Sequence, residues 1–188
     1  MSSNLNVPNS LSAIRLILSV VVCMQIEWNY YFAATICFLI AVSTDWMDGY
    51  WARKYNQVTK LGRILDPFVD KVIICGAMIA LVGEPGSGLQ AWVATLVVAR
   101  EMLVTSLRGL IEGQGGDFSA KQLGKWKMVA QCAAVVAILI SLQQATIADW
   151  LAWVRFLLIW SAVVMTVLSG LEYIVAAIRI SKNRSAPL

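Results

Sequence analysis

Residues 44–71 read TDWMDGYWARKYNQVTKLGRILDPFVDK and place four aspartates in one short stretch of the chain. The surrounding sequence avoids charge: of 188 residues, 59% are hydrophobic and only 14% are charged. The mean hydropathy is +0.71. A chain this apolar throughout is not an ordinary soluble domain with a polar surface. The acidic stretch is therefore expected to lie at or inside a membrane, where clustered carboxylates need a specific partner.

Six apolar segments follow one another along the chain. They cover residues 11–26, 30–47, 67–82, 89–110, 128–142 and 150–180. Several are close to the roughly 20 residues that a helix needs to cross the hydrocarbon core. The third and fifth are short, so their helices are expected to include flanking polar residues. The sequence thus predicts an all-α integral membrane protein with six transmembrane helices in a single domain, residues 1–188.

Lysine and arginine are confined to alternate connections between these segments. Residues 27–29, 83–90 and 143–149 contain neither, whereas residues 53–63 and 108–127 and the C-terminal segment are basic. The positive-inside rule then places both termini and the two basic loops in the cytoplasm. The net charge of +4 favours anionic headgroups or phosphorylated substrates at that face of the cell membrane. No nucleic-acid partner is expected.

The first two aspartates belong to a stripe along one helix face. Asp45, Asp48, Gly49, Ala52 and Arg53 follow the spacing i, i+3, i+4, i+7 and i+8, which aligns them on one side of a continuous helix. The small residues keep this stripe narrow, so that a ligand can approach the backbone closely.

The other two aspartates form a second stripe with Gly62, at spacing i, i+4 and i+8 for Gly62, Asp66 and Asp70. The short basic connection predicts that the two helices are antiparallel neighbours, so the four carboxylates meet just inside the cytoplasmic interface. Pro67 is compatible with this scheme only if the third helix begins near Arg63 or later. A proline deeper in a helix removes a backbone hydrogen bond and clashes with the preceding turn.

Four clustered carboxylates repel one another unless protons, basic side chains or bound cations neutralise them. Ligands that are all oxygen favour Mg²⁺ or Mn²⁺, and a cluster with this many acids can hold two ions. The alternative is an ion network that fixes the topology through the nearby basic residues Arg53, Lys54, Arg63 and Lys71. A metal or solute transporter is a further alternative, although transporter sites tend to lie near the midplane at a repeat interface, and no repeat is visible here.

The chain contains no histidine, which excludes a phosphohistidine intermediate and a histidine general base. A base must come from Asp, Glu, Lys or Tyr. A carboxylate at the edge of a metal cluster, within hydrogen-bond reach of an incoming hydroxyl, is the strongest candidate.

Together the two stripes read D-x2-D-G-x2-A-R-x8-G-x3-D-x3-D over residues 45–70. This matches every position of the signature of the CDP-alcohol phosphatidyltransferase family, which the chain therefore resembles. The resemblance implies six transmembrane helices, a homodimer, and a divalent metal used in the displacement of CMP from a CDP-linked donor by an acceptor hydroxyl. It implies that Asp45, Asp48 and Asp66 bind metal and that Asp70 lies at the metal edge as the general base. The positions that it places against the CDP group of the donor are Asp45, Asp48, Gly49, Ala52, Arg53 and Gly62.

Other stretches narrow the resemblance. Residues 7–15, 65–72, 99–109 and 123–128 are similar to family members that use CDP-diacylglycerol as donor and sn-glycerol 3-phosphate as acceptor. The implied products are phosphatidylglycerophosphate and CMP. Another acceptor, such as inositol phosphate, stays open.

Three basic residues fit a phosphorylated acceptor on independent grounds. Arg100 lies inside an apolar segment, where an arginine requires a buried partner or a polar cavity. Arg108 follows at a spacing that puts it on the same helix face, and Lys125 begins the next helix from the same side. Arg100, Arg108 and Lys125 are therefore predicted to bind the acceptor phosphate. The alternative pairs Arg100 with Glu101 or the aspartates, and Lys121 or Lys127 competes with Lys125 for the third position.

Overall fold

The computed structural model describes residues 7–55, 60–113, 122–144 and 147–184. Within these ranges the side chains at 7–12, 45–55, 60–67, 70, 110–113 and 179–184 lie outside the description. The described residues form six α-helices and no strand. The helices are α1 (Val7–Glu27), α2 (Tyr31–Tyr55), α3 (Lys60–Val82), α4 (Ala91–Gly113), α5 (Gln122–Leu142) and α6 (Asp149–Arg184).

Each of the six apolar segments corresponds to one helix, although the second and fourth segments begin just before α2 and α4. The predicted number and order of helices are therefore confirmed for the described residues. The two short segments gain length as expected from polar flanks. Helix α3 begins at Lys60 and α5 at Gln122, which gives helices of 23 and 21 residues.

The predicted start of α3 is wrong. The helix begins at Lys60, before Arg63, and therefore contains Pro67 in its interior. The missing amide of Pro67 removes one backbone hydrogen bond. Apolar helices tolerate this loss because neighbouring groups and local adjustments of the helix compensate for the freed carbonyl.

The six helices form a ring in which each packs against its neighbours. Among the described residues, α1 contacts α2 and α3, α2 contacts α5, α5 contacts α6, α6 contacts α4, and α4 contacts α3. Helix α3 also reaches across to α2 and α5. Within the same ranges α4 and α5 do not pack directly against each other. The ring therefore leaves a space between these two helices, bounded by α3 and α6.

The interior of the ring is one large apolar cluster to which all six helices contribute, and a second, small cluster forms around Val104 and Tyr173. Its largest fully buried side chains include Phe38, Met78, Leu81, Ile138 and Leu139. Between helices in lipid, close packing contributes the stabilisation that the hydrophobic effect contributes in water.

The outer surface is apolar as well, most clearly along α6. Large apolar side chains are exposed there every three or four residues over most of the helix, which forms a continuous stripe. The stripe consists of Trp150, Trp153, Leu157, Trp160, Val164, Leu168, Leu171, Val175 and Ile178. An exposed apolar face of this length fits a lipid environment and not water.

Two helices of the described chain are long and apolar enough to span a membrane. They are Gln122–Leu142, with mean hydropathy 1.6, and Asp149–Ile178, with mean hydropathy 2.1. Shorter apolar stretches occur at Tyr31–Thr44 and Lys71–Val82. The count of six spans and the cytoplasmic position of the termini stay predictions.

Candidate functional site

The aspartate signature lies on two helices that contact each other. Helix α2 is continuous through residues 45–53, and α3 is continuous through residues 62–70. The spacing argument that aligns each set on one helix face therefore holds for the backbone. The side chains of the signature residues lie outside the description, so their roles stay predictions: Asp45, Asp48, Gly49, Ala52, Arg53, Gly62, Asp66 and Asp70.

The donor set suits the predicted metal by its chemistry. Four carboxylates offer only oxygen ligands, which fit Mg²⁺ or Mn²⁺. Among the side chains that the structure describes, no three acidic or cysteine residues come together as a metal site. The assignment of the metal to the signature aspartates stays a prediction.

A cavity of about 230 Å³ opens between α4 and α5, with α3 and α6 as its other walls. The described side chains around it include five basic residues and one carboxylate. These are Lys71, Arg100, Arg108, Lys125, Lys127 and Glu101. Clustered positive charge in a recess of low dielectric favours an anionic ligand. The structure thus brings Arg100, Arg108 and Lys125 together, as the sequence predicted.

Helix α3 connects this cavity to the aspartate signature. Lys71 and Ile74 line the cavity, and Lys71 directly follows Asp70 in the helix. Position 70 is also four residues before Ile74, which places both on the same helix face. Helix α3, whose backbone carries the second set of aspartates, therefore forms part of the wall of the cationic cavity.

Arg100 is held by contacts to three side chains. Its Nη1 lies 3.1 Å from Glu101 Oε1, and its Nη2 donates a hydrogen bond of 3.0 Å to Ser169 Oγ on α6. The guanidinium also lies over the Tyr173 ring, 5.4 Å from its centroid, within the range of a cation–π interaction. The predicted pairing of Arg100 with Glu101 and its predicted place in a polar cavity are both observed.

Arg108 shares Tyr173 with Arg100. Its Nη2 donates to the tyrosine hydroxyl at 3.3 Å. The Nε atoms of both arginines are buried and make no hydrogen bond to the described residues. Because buried donors are nearly always paired, two unsatisfied donors at a cationic cavity indicate where an anionic ligand would bind.

The lysines at the start of α5 differ in their surroundings. Lys127 is only 5% exposed and donates to Glu101 Oε1, whereas Lys125 has an exposed side chain at the rim. Both line the cavity. Lys121, the third candidate, lies outside the described residues.

The polar cavity residues that were not singled out from the sequence for this role include Lys71, Glu101, Gln131 and Tyr173. Gln131 donates to Thr166 Oγ1 at 2.9 Å inside the bundle. Tyr173 is buried on α6, far from α4 in sequence, and no local spacing connects it to the two arginines. A signal did exist for Glu101, because an ionisable residue within an apolar segment usually marks a site or a buried pair.

Comparison with known proteins gives a consistent result. A family model described as CDP-alcohol phosphatidyltransferase matches residues 5–178. A CDP-diacylglycerol–glycerol-3-phosphate 3-phosphatidyltransferase of Bacillus subtilis (strain 168) is 36% identical over 188 aligned residues, covering 89% of this chain and 93% of the relative. Proteins of the same name from Shigella flexneri serotype 5b (strain 8401) and Escherichia coli (strain K12) are 34% and 33% identical over 178 residues, covering 92% of this chain and 94% of each relative. The signature, the helical bundle and these similarities agree, and the chain belongs to the CDP-alcohol phosphatidyltransferase family.

Proposed function

We propose that this protein transfers the phosphatidyl group of CDP-diacylglycerol to sn-glycerol 3-phosphate and releases phosphatidylglycerophosphate and CMP. The names of its relatives support this reaction. The structural observation that carries the proposal is the cationic cavity between α4 and α5, reached by the aspartate-bearing helix α3.

The cavity suits a small phosphorylated acceptor. Its volume of about 230 Å³ lies below the roughly 300–1,000 Å³ of pockets for drug-sized ligands. Arg100 and Arg108 each have an unsatisfied buried Nε, and an arginine can bind a phosphate through two parallel hydrogen bonds. Lys125 would add a third cation at the rim and present the acceptor from the aqueous side.

The CDP group of the donor belongs at the signature. Asp45, Asp48, Asp66 and Asp70 would hold Mg²⁺ or Mn²⁺, with room for two ions by the number of ligands. When bound, the divalent metal would neutralise charge on the donor diphosphate and on the departing CMP. The family signature further assigns Gly49, Ala52, Arg53 and Gly62 to the cytidine diphosphate.

The remaining chemistry is a single displacement. Asp70 accepts the proton of the acceptor hydroxyl as that oxygen attacks the phosphorus bearing diacylglycerol. A new phosphorus–oxygen bond forms to the acceptor, and the bond to CMP breaks. The protein contributes mainly positioning and electrostatic stabilisation, as is usual in phosphoryl transfer.

The membrane arrangement is part of the proposal. The basic loops and the apolar outer face support six spans in the cytoplasmic membrane, with both termini and the active site at the cytoplasmic face. The donor's acyl chains then stay in the lipid while its headgroup reaches the signature. The homodimer that the family resemblance implies is retained as a proposal.

The direct test is CMP release by the purified protein in detergent. CDP-diacylglycerol and Mg²⁺ or Mn²⁺ are combined with sn-glycerol 3-phosphate, inositol phosphate, inositol or serine in separate reactions. Release that requires sn-glycerol 3-phosphate and stops on chelation supports the proposal. Release with another acceptor corrects the substrate, and metal flux into vesicles without CMP release would indicate a transporter instead.

The base assignment has its own test in Asp70→Asn. This variant should bind CDP-diacylglycerol normally yet lose turnover, because the amide cannot accept the hydroxyl proton. Asp149→Asn, the same change at the far end of the bundle in an exposed first turn of α6, is the matched control and should keep normal activity. Near-normal turnover in Asp70→Asn would remove Asp70 from the role of base.

A further inference from the structure

Glu101 is the one carboxylate among the described residues that line the cationic cavity. It is 5% exposed, and the two cations that it contacts, Arg100 and Lys127, are 8% and 5% exposed. A single oxygen, Oε1, accepts from both of them. Three ionised side chains are thus buried as one group at the cavity wall.

This group joins two helices that otherwise do not meet. Glu101 and Arg100 lie on α4 and Lys127 lies on α5, and within the described ranges α4 and α5 make no direct packing contact. The ion pair between Glu101 and Lys127 therefore spans the space in which the cavity opens. The ion pair is thus a direct contact between the two basic walls of the cavity.

Glu101 also reduces the electrostatic repulsion between Arg100 and Lys127. Without it, Arg100 and Lys127 would be like charges close together in a medium of low dielectric, and each would move away from the other or recruit water. With it, both cations are held at the wall, while the Nε of Arg100 makes no hydrogen bond to any residue that the structure describes. The carboxylate thus neutralises part of the positive charge at the cavity and fixes the positions of the two cationic side chains.

We propose that Glu101 is a positioning residue for the acceptor: it holds Arg100 and Lys127 at the cavity wall so that the phosphate of the acceptor meets a preformed set of donors. The inference rests on the proposed function, since the acceptor is the ligand that it concerns. Glu101 acts through the two cations and not by contact with the reacting atoms.

The test measures the KM for sn-glycerol 3-phosphate and the KM for CDP-diacylglycerol separately. Glu101→Gln keeps the size of the side chain but removes its charge. We expect the acceptor KM to rise about tenfold or more, as for loss of a hydrogen bond to a charged group, while the donor KM changes less than about twofold. Glu84→Gln is the matched control, because Glu84 accepts a 2.7 Å hydrogen bond from Tyr31 at the opposite end of the bundle.

A second experiment, which removes the charges of both Glu101 and Lys127, distinguishes a purely structural role of Glu101 from a positioning role. Breaking a buried pair destabilises the fold because it leaves one charge uncompensated, and the double variant Glu101→Gln with Lys127→Met relieves this. We expect the double variant to recover thermal stability. Its acceptor KM should still exceed that of Lys127→Met alone by several-fold, because Arg100 has lost its contact with the carboxylate and keeps only those with Ser169 and Tyr173. This comparison stays informative even if Glu101→Gln alone fails to fold.

Two results would overturn the proposal. One is an acceptor KM in the double variant equal to that of Lys127→Met, and the other is an equal rise of both KM values in Glu101→Gln. Failure of the proposed function is visible separately, as absence of CMP release with sn-glycerol 3-phosphate in the unaltered protein. Protection of that protein against thermal unfolding by sn-glycerol 3-phosphate reports acceptor binding without turnover.

Discussion

Arg100 and Arg155 are both arginines inside apolar segments, but the two ends of the bundle use them differently. Arg155 Nη1 donates to the Gly86 carbonyl at 2.6 Å and to Ser141 Oγ at 3.1 Å, which are neutral acceptors. Arg100 contacts a carboxylate and lies among four other cations at the cavity. Arg155 also borders a cavity, of about 330 Å³, but there it is the one cation among the described lining residues.

The difference shows that an arginine inside an apolar segment does not identify a binding site by itself. Arg155 connects the α3–α4 loop to α5 and α6, so its hydrogen bonds serve the fold. At the other end, positive charge exceeds what the described carboxylate can neutralise, and buried donors are left unsatisfied. An excess of positive charge and of unsatisfied hydrogen-bond donors distinguishes a binding site from a structural contact.

The strongest test of this distinction is Arg108→Gln. The change removes one charge and its hydrogen bonds from the cavity, so kcat/KM for sn-glycerol 3-phosphate should fall about 10- to 100-fold, mostly through KM, in line with the roughly 1.5–3 kcal/mol of a charged hydrogen bond. The KM for CDP-diacylglycerol should stay unchanged. Initial rates of CMP release over a range of each substrate give both values. An unchanged acceptor KM would remove Arg108 from the phosphate site.

The counterpart at the other end is Arg155→Gln. Loss of the hydrogen bonds to Gly86 and Ser141 should lower the free energy of unfolding by about 1–3 kcal/mol, because two polar groups lose a partner. The kinetic constants should remain those of the unaltered protein. Thermal unfolding in detergent and the same CMP assay provide the comparison. A fall in kcat/KM as large as that of Arg108→Gln would contradict the assignment of Arg155 to the fold.

Much of the fold follows from the sequence because apolar runs and their separators are local features. Six runs predicted six helices in the right order, and the polar flanks of α3 and α5 were expected from the length that a helix needs. The start of α3 was not predicted correctly. Proline is unfavourable in a helix interior but does not by itself end a helix, and α3 runs from Lys60 through Pro67.

The functional site was also predictable from the sequence only in part. Helical spacing along α4 was sufficient to place Arg100 and Arg108 on one face, and the cavity contains both. Tyr173 and the link from Glu101 to Lys127 depend on how α4, α5 and α6 pack, which one sequence does not show. The aspartate signature presents the opposite case. Its roles come from the sequence and family resemblance, and the structure contributes the continuity and contact of α2 and α3.

The smallest expected effect concerns Gly88, which lies against the guanidinium of Arg155. Its φ of +69° is a conformation that other residues adopt at a cost of roughly 1–2 kcal/mol. A Cβ at this position would also lie only 3.3 Å from Arg155 Nη2. Gly88→Ala should therefore lower the free energy of unfolding by about 1 kcal/mol or slightly more and leave CMP release unchanged.

Combining Gly88→Ala with Arg155→Gln separates the two causes of destabilisation, which are backbone strain and the close contact with the guanidinium. In the Arg155→Gln background the close contact of the new Cβ with the guanidinium is gone, so Gly88→Ala should cost less than it does alone, with only the backbone strain remaining. Residues in contact are expected to show such non-additivity, whereas distant residues add. Gly88→Ala combined with Arg108→Gln, at the far end of the bundle, should show simple addition in thermal unfolding. Equal coupling of Gly88 to both arginines would mean that the two ends are not independent, and the contrast between a structural arginine and a ligand-binding arginine would then fail.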